Sequence, residues 1–126
     1  MTEQELLYNL KRDLEILGLP LNDVDIVIAN KYVKTYYGLY YPKTSKRGAF
    51  IRIYPYMYPS NDCMYPYIHL LDTTIHEMCH HLQYSDDNYI RVIGVVHDTE
   101  FWELYNKYIT LAKEAGLLYK EVEKGG

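Results

Sequence analysis

Residues 75–80 read I-H-E-M-C-H, which contains the motif H-E-x-x-H, within a run that predicts one helix from about Ile68 to Tyr84. Two histidines four positions apart in a helix lie about 40° apart around its axis and about 6 Å apart along it, so both imidazoles reach one ion. Zinc binds imidazole nitrogens, and a catalytic zinc site keeps one position open for water. Glu77 lies on the flank of the same face, where a carboxylate takes a proton from that water. The motif therefore predicts two zinc ligands, His76 and His80, with Glu77 as the catalytic base.

The motif helix also has an apolar face that is separate from its histidines. Four apolar side chains recur at helical spacing and form a stripe about 60° wide, which we expect to pack in the core. They are Leu71, Ile75, Met78 and Leu82. His76 and His80 point to the far side of the helix, and Cys79 falls toward the core side as a small buried apolar residue. The alternative, a helix with two ordinary surface histidines, is disfavoured by this separation of faces.

The bulk properties of the chain are those of a small globular protein. Its 126 residues suffice for one core, so we expect a single domain spanning residues 1–126. No apolar run approaches the roughly 20 residues of a membrane span, and the acidic start, Met1 to Glu5, is unlike a signal peptide. We therefore expect a cytoplasmic protein with no membrane partner. Two cysteines are too few for a disulfide scaffold or a four-cysteine zinc ribbon.

The part of the chain before the motif predicts one helix and three strands. The stretch 2–5, T-E-Q-E, is a capping-box pattern that begins a helix, which the glycine and proline at 18 and 20 end. Alternating apolar residues or β-branched and aromatic residues predict strands at Val24–Ala29, Val33–Tyr41 and Ala49–Tyr54. The polar link between the last two strands favours an antiparallel hairpin. The proline-containing stretch Tyr54–Asp62 should be an extended loop.

The part of the chain after the motif helix predicts a further helix. It begins near His97 or Asp98, and Gly116 ends it. The apolar stretch Tyr89–Val96 fits a strand or a packed loop, and the tail Lys120–Gly126 is typical of a frayed end. The expected fold class is therefore α+β: a small antiparallel or mixed sheet of about three strands packed on an N-terminal helix, the motif helix and a C-terminal helix.

A catalytic zinc needs a third protein ligand besides the two histidines of the motif. The candidates that follow the motif are His81, His97, Asp98, Glu100 and Glu103. His81 is turned about 100° away from His80, and His69 lies about 10 Å up the helix axis from the motif, so both are poor choices. His97 opens the next helix after sixteen intervening residues, a distance across which a turn folds back. Glu100 stays open as the alternative, because some H-E-x-x-H enzymes take a glutamate as third ligand.

The motif does not stand alone in the sequence. After H-E-x-x-H, residues 97–101 read H-D-T-E-F at the start of the next helix, and the preceding hairpin contains Y-Y-G-L-Y at 36–40 and I-R-I at 51–53. This combination resembles the SprT-like metallopeptidases, which include the Spartan-type proteases and have H-E-x-x-H followed at a similar distance by H-G-x-x-F. The resemblance covers roughly Val33 to Tyr108.

The resemblance implies a minimal zincin fold, a metallopeptidase activity and one bound Zn²⁺ ion, with Glu77 as the base. The ligands that it implies are His76, His80 and His97. Asp98 stands where the family usually has glycine. This difference leaves open that Asp98 or Glu100 is a metal ligand or is hydrogen-bonded to a metal ligand. A cysteine-rich zinc ribbon is missing from this sequence, so the chain would correspond to the catalytic domain alone.

Peptide-bond hydrolysis is the leading hypothesis for the activity. Zinc would polarise the scissile carbonyl, while Glu77 would take the proton of the bound water and pass it to the leaving amine. In zincins the substrate lies extended beside an edge strand, for which Ala49–Tyr54 is the candidate. Two other classes stay open: an enzyme that cuts a non-protein amide, and a catalytically silent, zinc-stabilised binding module. A closed site that holds both His97 and Glu100 would indicate the module.

Charge and tyrosine are distributed unevenly along the chain. The net charge is −4, yet no carboxylate occurs between Asp25 and Asp62, where six lysines or arginines and eight of the sixteen tyrosines lie. Such a segment indicates a face for an anionic partner, with cations on phosphates and tyrosines stacked on bases. The candidate nucleic-acid contacts are Lys43, Lys46, Arg47 and Arg52. The resemblance also implies DNA, since Spartan-type enzymes degrade proteins crosslinked to it. The alternative is that the tyrosines pack on half-buried strands and the lysines protect sheet edges.

Overall fold

The computed structural model of the chain describes residues 1–89 and 94–118, and within them it has the α+β architecture that the sequence predicts. Its elements in chain order are α1 (Glu3–Ile16), β1 (Val24–Ile28), β2 (Gly38–Tyr41), β3 (Ala49–Ile53), α2 (Tyr67–Ser85) and α3 (Thr99–Glu114). The helix α2 is the motif helix, and it extends one residue beyond the predicted bounds at either end.

The three strands form one mixed sheet in the order β1-β3-β2. β2 pairs antiparallel with β3, as the predicted hairpin requires, and β1 pairs parallel with the other side of β3. The prediction that the strand at Ala49–Tyr54 lies at the edge is therefore wrong. β3 is the central strand, because β1 covers the side that the hairpin leaves open, and four of its five residues are buried. β2, which packs beside α2, is an edge strand.

β2 is shorter than the predicted strand at Val33–Tyr41. Before Gly38 the chain keeps only single contacts of the sheet type: Tyr37 accepts a backbone hydrogen bond from Tyr54 at 2.8 Å, and Tyr32 forms an isolated bridge with Tyr56. The stretch 54–62 has neither helix nor strand, which confirms the predicted loop. These two irregular segments lie together, and their tyrosines contact each other in the pairs Tyr32–Tyr58 and Tyr36–Tyr54.

The core lies between the sheet and the helices α1 and α2. The predicted apolar face of α2 is confirmed, because Leu71, Ile75 and Met78 are fully buried and Leu82 packs against the same cluster from its edge. Cys79 is also fully buried. The cluster is completed by side chains of α1 and of the inner sheet face, among them Leu6, Leu10, Leu14, Val24, Ile26, Ile51 and Ile53. Each such side chain stabilises the fold by about 1.5–3 kcal/mol, so α2 is anchored by the face opposite to its histidines.

The helix ends follow the predicted signals. Thr2 and Glu5 form the capping box of α1, with the Thr2 Oγ1 atom accepting from the Glu5 amide at 3.0 Å. Asp98 is the cap of α3, and its carboxylate accepts from the Phe101 amide at 2.8 Å. Gly116, with φ of +77°, follows α3 in the left-handed conformation that glycine adopts without strain.

Two predictions fall wholly or partly outside the described residues. The strand or packed loop at Tyr89–Val96 includes residues 90–93, and the frayed tail at Lys120–Gly126 lies beyond residue 118. Over residues 1–89 and 94–118, the helices are too short or too polar to cross a membrane.

Candidate metal centre

Three imidazoles converge on one face of α2. The ligand-capable nitrogens of His76, His80 and His97 all lie within 4.8 Å of one another. The Nε2 atoms of His76 and His97 are 3.1 Å apart. Tetrahedral zinc with Zn–N distances of about 2.0–2.1 Å places two nitrogens about 3.3 Å apart. The chemistry and spacing of this donor set therefore fit one divalent ion, and the three residues are those that the sequence predicts.

The side chain that holds the three rings in place is Phe101. It is fully buried, and its ring centroid lies 4.5 Å from that of His80, in a stacked arrangement, and 4.8 Å and 4.7 Å from those of His76 and His97. Phe101 thus contacts all three imidazoles from one side. The sequence gives this residue only as part of an inner helix face and of the second motif, and neither signal indicates its contact with the ligands.

The exposed indole of Trp102 lies next to Phe101, with the two ring centroids 5.1 Å apart, and also contacts two of the imidazoles. Its centroid is 5.5 Å from that of His97 and 6.2 Å from that of His76. Trp102 is 43% exposed, so the cluster of imidazoles is covered at this point by a side chain at the rim of the site.

The electrostatics of the site favour neutral imidazoles. Burial lowers the pKa of His80 to about 4, and the proximity of His76 and His97 adds to this effect. Burial also lowers the pKa of His76, with a smaller contribution from His97. A protonated imidazole has no free lone pair, so metal ions bind the neutral form. At neutral pH His76 and His80 are therefore already in the form that binds a metal.

Glu77 lies between the two histidines of the motif and is 8% exposed. Burial raises its pKa to about 8. Over the described residues its carboxylate takes part in neither an ion pair nor a hydrogen bond with another side chain. This carboxylate therefore has a high affinity for a proton and is not engaged elsewhere, which are the properties of a general base.

The alternative third ligands are engaged in other contacts. Asp98 caps α3 and also accepts hydrogen bonds from the Gln83 side chain, at 3.1 Å, and from the Tyr89 hydroxyl. Glu100 accepts from the same Gln83 amide at 3.0 Å. Neither carboxylate belongs to the cluster of His76, His80 and His97. Gln83, buried on α2 one turn beyond the motif, thus ties the segment around His97 to the helix, a role that no sequence signal indicates.

The two remaining histidines of α2 lie outside the cluster, as their spacing predicts. His81 is buried. Its Nδ1 atom is hydrogen-bonded to the Tyr40 hydroxyl at 2.8 Å, and its Nε2 atom lies 2.9 Å from the Asp23 carboxylate. It therefore links α2 to β2 and to the loop before β1. His69 lines a cavity at the start of α2 and does not belong to the cluster of His76, His80 and His97.

The cluster faces a cleft between β2 and α2. One cavity of about 440 Å³ lies toward the start of α2 and is lined by 35–38, His69, Asp72 and Thr73. A second cavity of about 300 Å³ lies toward the end of the helix. Its lining residues include Leu39, Tyr40, Pro42, Tyr84, Val96 and the three histidines. Both cavities share His76 and Glu77 as walls, so the two residues that define the chemistry stand at the middle of the cleft.

The candidate nucleic-acid contacts are only partly brought together. The Arg47 guanidinium lies 3.7 Å from the Phe50 ring centroid, and the Arg52 guanidinium lies 5.6 Å from the centroids of both Phe50 and Tyr41, which are stacked on each other. Lys46 is exposed in the turn before β3. Lys43 lines a separate cavity together with carboxylates of the loops around it. The structure thus forms an aromatic and cationic patch from Tyr41, Phe50, Arg47 and Arg52.

Comparisons of this chain with protein-family models, with curated proteins and with solved structures gave no match. The resemblance of its motifs to the SprT-like metallopeptidases stays a prediction. The function is therefore argued from the site itself.

Proposed function

We propose that this chain is a zinc-dependent metallopeptidase of the minimal, SprT-like zincin type, which hydrolyses peptide bonds. The observation that supports this most directly is the convergence of His76, His80 and His97 beside the buried Glu77 carboxylate, at the middle of an open cleft. A bound zinc ion supplies Lewis-acid polarisation of the scissile carbonyl and lowers the pKa of a water molecule to about 7.

The number of ligands favours an enzyme over a structural site. Structural zinc sites in proteins are closed by four protein ligands, whereas catalytic sites use three and keep one position open. Among the residues that the structure describes, the cluster has three members, and Glu100 and Asp98 are bound to Gln83 instead. This arrangement argues against the silent binding module, for which a closed site with His97 and Glu100 would be expected.

Glu77 is the residue that we assign to proton transfer. Its carboxylate would accept a proton from the attacking water and deliver it to the nitrogen of the leaving amine. Burial raises its pKa to about 8, and a cation bound at the histidines would favour the ionised carboxylate, which is the form that accepts the proton. The fully buried Ile75 and Met78 on either side of it on α2 keep the base in place while the opposite face of the helix stays open to substrate.

The shape of the cleft favours an extended peptide as substrate. The two cavities along it are lined by residues 35–40 and by Pro42, a segment that contains most of the edge strand β2. An edge strand offers unpaired backbone groups, to which an extended chain adds as a further strand. The strand beside which we expect the substrate to lie is therefore β2, and not β3 as the sequence predicted. A small non-protein amide would use only the middle of a cleft of this length.

The test is a comparison of Glu77→Gln with the wild type, both loaded with one equivalent of zinc. We expect the variant to keep the metal and to lose cleavage of an unbiased peptide mixture by at least about 100-fold, the lower range for a general base. Glu103→Gln, at an exposed position of α3, is the matched control and should cleave like the wild type. A zinc-loaded wild type that cleaves nothing would instead support the binding module, and full activity of Glu77→Gln would exclude the mechanism.

A second candidate function is contact with DNA, which would direct the peptidase to DNA-associated proteins. It is supported by the patch of Arg47 and Arg52 on the Tyr41–Phe50 stack, within a segment that has no carboxylate. Titration with single-stranded DNA should give an affinity that falls as salt rises. Arg47→Gln combined with Arg52→Gln should weaken it, whereas Lys11→Gln on α1 should not. The absence of binding, or binding that is indifferent to salt, would refute this candidate.

A further inference from the structure

We propose that the cavity between segment 35–38 and the start of α2 is a specificity pocket for a lysine or arginine side chain next to the scissile bond, and that Asp72 recognises its charge. This inference rests on the proposed peptidase function and names the residue that selects the substrate. The pocket is called the Asp72 pocket below, and it is lined by Thr35, Tyr36, Tyr37, Gly38, His69, Asp72 and Thr73, together with His76 and Glu77.

The position of the Asp72 pocket follows from the walls that it shares with the reaction site. His76 and Glu77 line it, so a carbonyl group held at the histidines lies at its mouth. Successive side chains of an extended chain are spaced by about 3.3 Å along the strand. A residue adjacent to the scissile bond therefore reaches this pocket. Its volume of about 440 Å³ lies in the range of binding sites for small molecules and leaves ample room for a long side chain.

The charge of the pocket comes from Asp72. This residue is half-buried, and the Tyr105 hydroxyl donates a hydrogen bond to its Oδ1 atom. Over residues 1–89 and 94–118 its carboxylate takes part in no ion pair with a lysine or an arginine. A partly desolvated carboxylate gains most from a charge-assisted hydrogen bond with a cation. The negative charge of Asp72 also acts on His76, and the Tyr105 hydroxyl bonds to the Oδ1 atom alone, so the Oδ2 atom is the acceptor that we assign to a cationic ligand.

The tyrosines of the pocket also suit a cationic side chain. Tyr36 and Tyr37 are 37% and 46% exposed, and their rings make edge contacts with those of Tyr54 and Tyr65. A cation is attracted to the face of an aromatic ring within about 6 Å of its centroid. A contact of this kind exists next to the pocket, because the Lys31 amine lies 5.8 Å from the centroid of Tyr54, the ring that packs against Tyr36.

The second cavity of the cleft has a different character. Apart from the metal ligands and Glu77, its walls include Leu39, Pro42, Tyr84 and Val96, which are apolar or aromatic. A peptide with a basic residue on one side of the scissile bond and an apolar residue on the other would therefore fit the cleft in one direction only. The Asp72 pocket thus fixes which bond lies at the histidines as well as which residue flanks it.

The first test is the cleavage pattern of the zinc-loaded protein on an unbiased peptide mixture, read by mass spectrometry. We expect lysine and arginine to be enriched at one position next to the cleaved bond. Asp72→Asn should abolish the enrichment while cleavage continues, because asparagine keeps an acceptor for Tyr105 and removes the charge. Tyr105→Phe, which removes the hydrogen bond and keeps the carboxylate, should retain the enrichment. Cleavage without enrichment in the wild type, or equal enrichment in Asp72→Asn, would overturn the proposal and leave the peptidase function standing.

The second test measures binding without cleavage, so that the two proposals fail separately. Glu77→Gln loaded with zinc is titrated with a fluorescent peptide that carries arginine at the flanking position and with the same peptide carrying citrulline, which is neutral. We expect the arginine peptide to bind about tenfold more tightly, and the difference to vanish when Asp72→Asn is added. A tenfold preference without hydrolysis by the wild type would support the pocket and refute the peptidase. Equal binding of the two peptides would refute the pocket.

Discussion

Gly38 of β2 and Thr73 of α2 are in such close contact that a Cβ atom added at Gly38 would lie 2.8 Å from Cγ2 of Thr73. The same atom would lie 3.1 Å from Cδ1 of Ile53 in the core. Real Cβ atoms are essentially never found at 2.8 Å from a carbon atom, so either the Thr73 side chain would have to rotate or the strand and the helix would have to move apart. Gly38 therefore lets the edge strand approach closely the helix that carries the histidines, beside the Asp72 pocket.

Replacement of Gly38 by alanine should accordingly destabilise the fold. Overpacking of a well-packed site lowers the free energy of unfolding by about 1–3 kcal/mol, and we expect a loss in this range from urea denaturation. Gly48→Ala is the matched control, since a Cβ atom at that exposed glycine would meet nothing within 4 Å. Equal denaturation midpoints for the two variants would contradict the close contact.

His97 should be required for metal binding, and Glu100 should not. We expect His97→Ala to weaken zinc affinity by more than about 100-fold, beyond the 10–100-fold that the loss of a supporting partner costs. Glu100→Ala should keep one zinc per chain, because its carboxylate contacts Gln83 and lies outside the cluster. Metal analysis after dialysis against a competing chelator measures both. Loss of zinc from Glu100→Ala alone would assign the third ligand to the carboxylate.

Zinc should stabilise the folded chain, because its ligands come from α2 and from the segment before α3. At a free zinc concentration of about 100 times the dissociation constant, binding raises the free energy of unfolding by about 2.7 kcal/mol. Thermal denaturation with and without a chelator should show the corresponding shift in Tm. The shift should be absent in His97→Ala. A shift of equal size in that variant would mean that zinc binds elsewhere.

The contact between Tyr67 and Asp13 should make the fold sensitive to alkali. The Tyr67 hydroxyl donates a hydrogen bond of 2.6 Å to the buried Asp13 carboxylate, and burial followed by this hydrogen bond raises the pKa of Tyr67 above its ordinary value. The folded chain thus keeps this proton at a pH at which the unfolded chain has lost it. The resulting stability is fully present below pH about 10 and is lost as the pH rises above that value.

Tyr67→Phe tests this linkage. Removal of the donor leaves a buried carboxylate oxygen without its partner, so we expect a loss of about 1–3 kcal/mol in the free energy of unfolding at neutral pH. The variant should also lose less stability than the wild type between neutral pH and pH about 11. Tyr8→Phe, at a side chain that is 66% exposed, serves as control. Parallel curves of stability against pH for wild type and Tyr67→Phe would refute the assignment.

The common face of His76 and His80 was predictable from sequence because it depends on local geometry, whereas the choice of His97 over Glu100 was left open. The spacing of His76 and His80 fixes their common face, and the apolar stripe of Leu71, Ile75 and Met78 fixes which face is buried. The start of α3 directly after His97 was also predictable, since Asp98 is a typical residue at a helix cap. These features need only the helical period and the signals at helix ends.

The order of the strands was not predictable in the same way. Alternation of apolar residues indicates that Ala49–Ile53 is a strand, but it does not indicate whether one or both of its sides are paired, because pairing depends on residues distant in sequence. The prediction that β3 lies at the edge was wrong for this reason. Gln83 and Phe101 were missed as supports of the site because a buried glutamine or phenylalanine on a helix face has many roles and no distinctive spacing.

Trp102 is the single tryptophan of the chain, and its ring lies 5.5 Å from that of His97. A paramagnetic ion such as Co²⁺ or Cu²⁺ held by the histidines would quench indole emission at so short a range. The fluorescence of Trp102 should therefore report whether the centre holds such an ion, without an added label. Binding and release of the ion can then be followed by stopped-flow fluorescence.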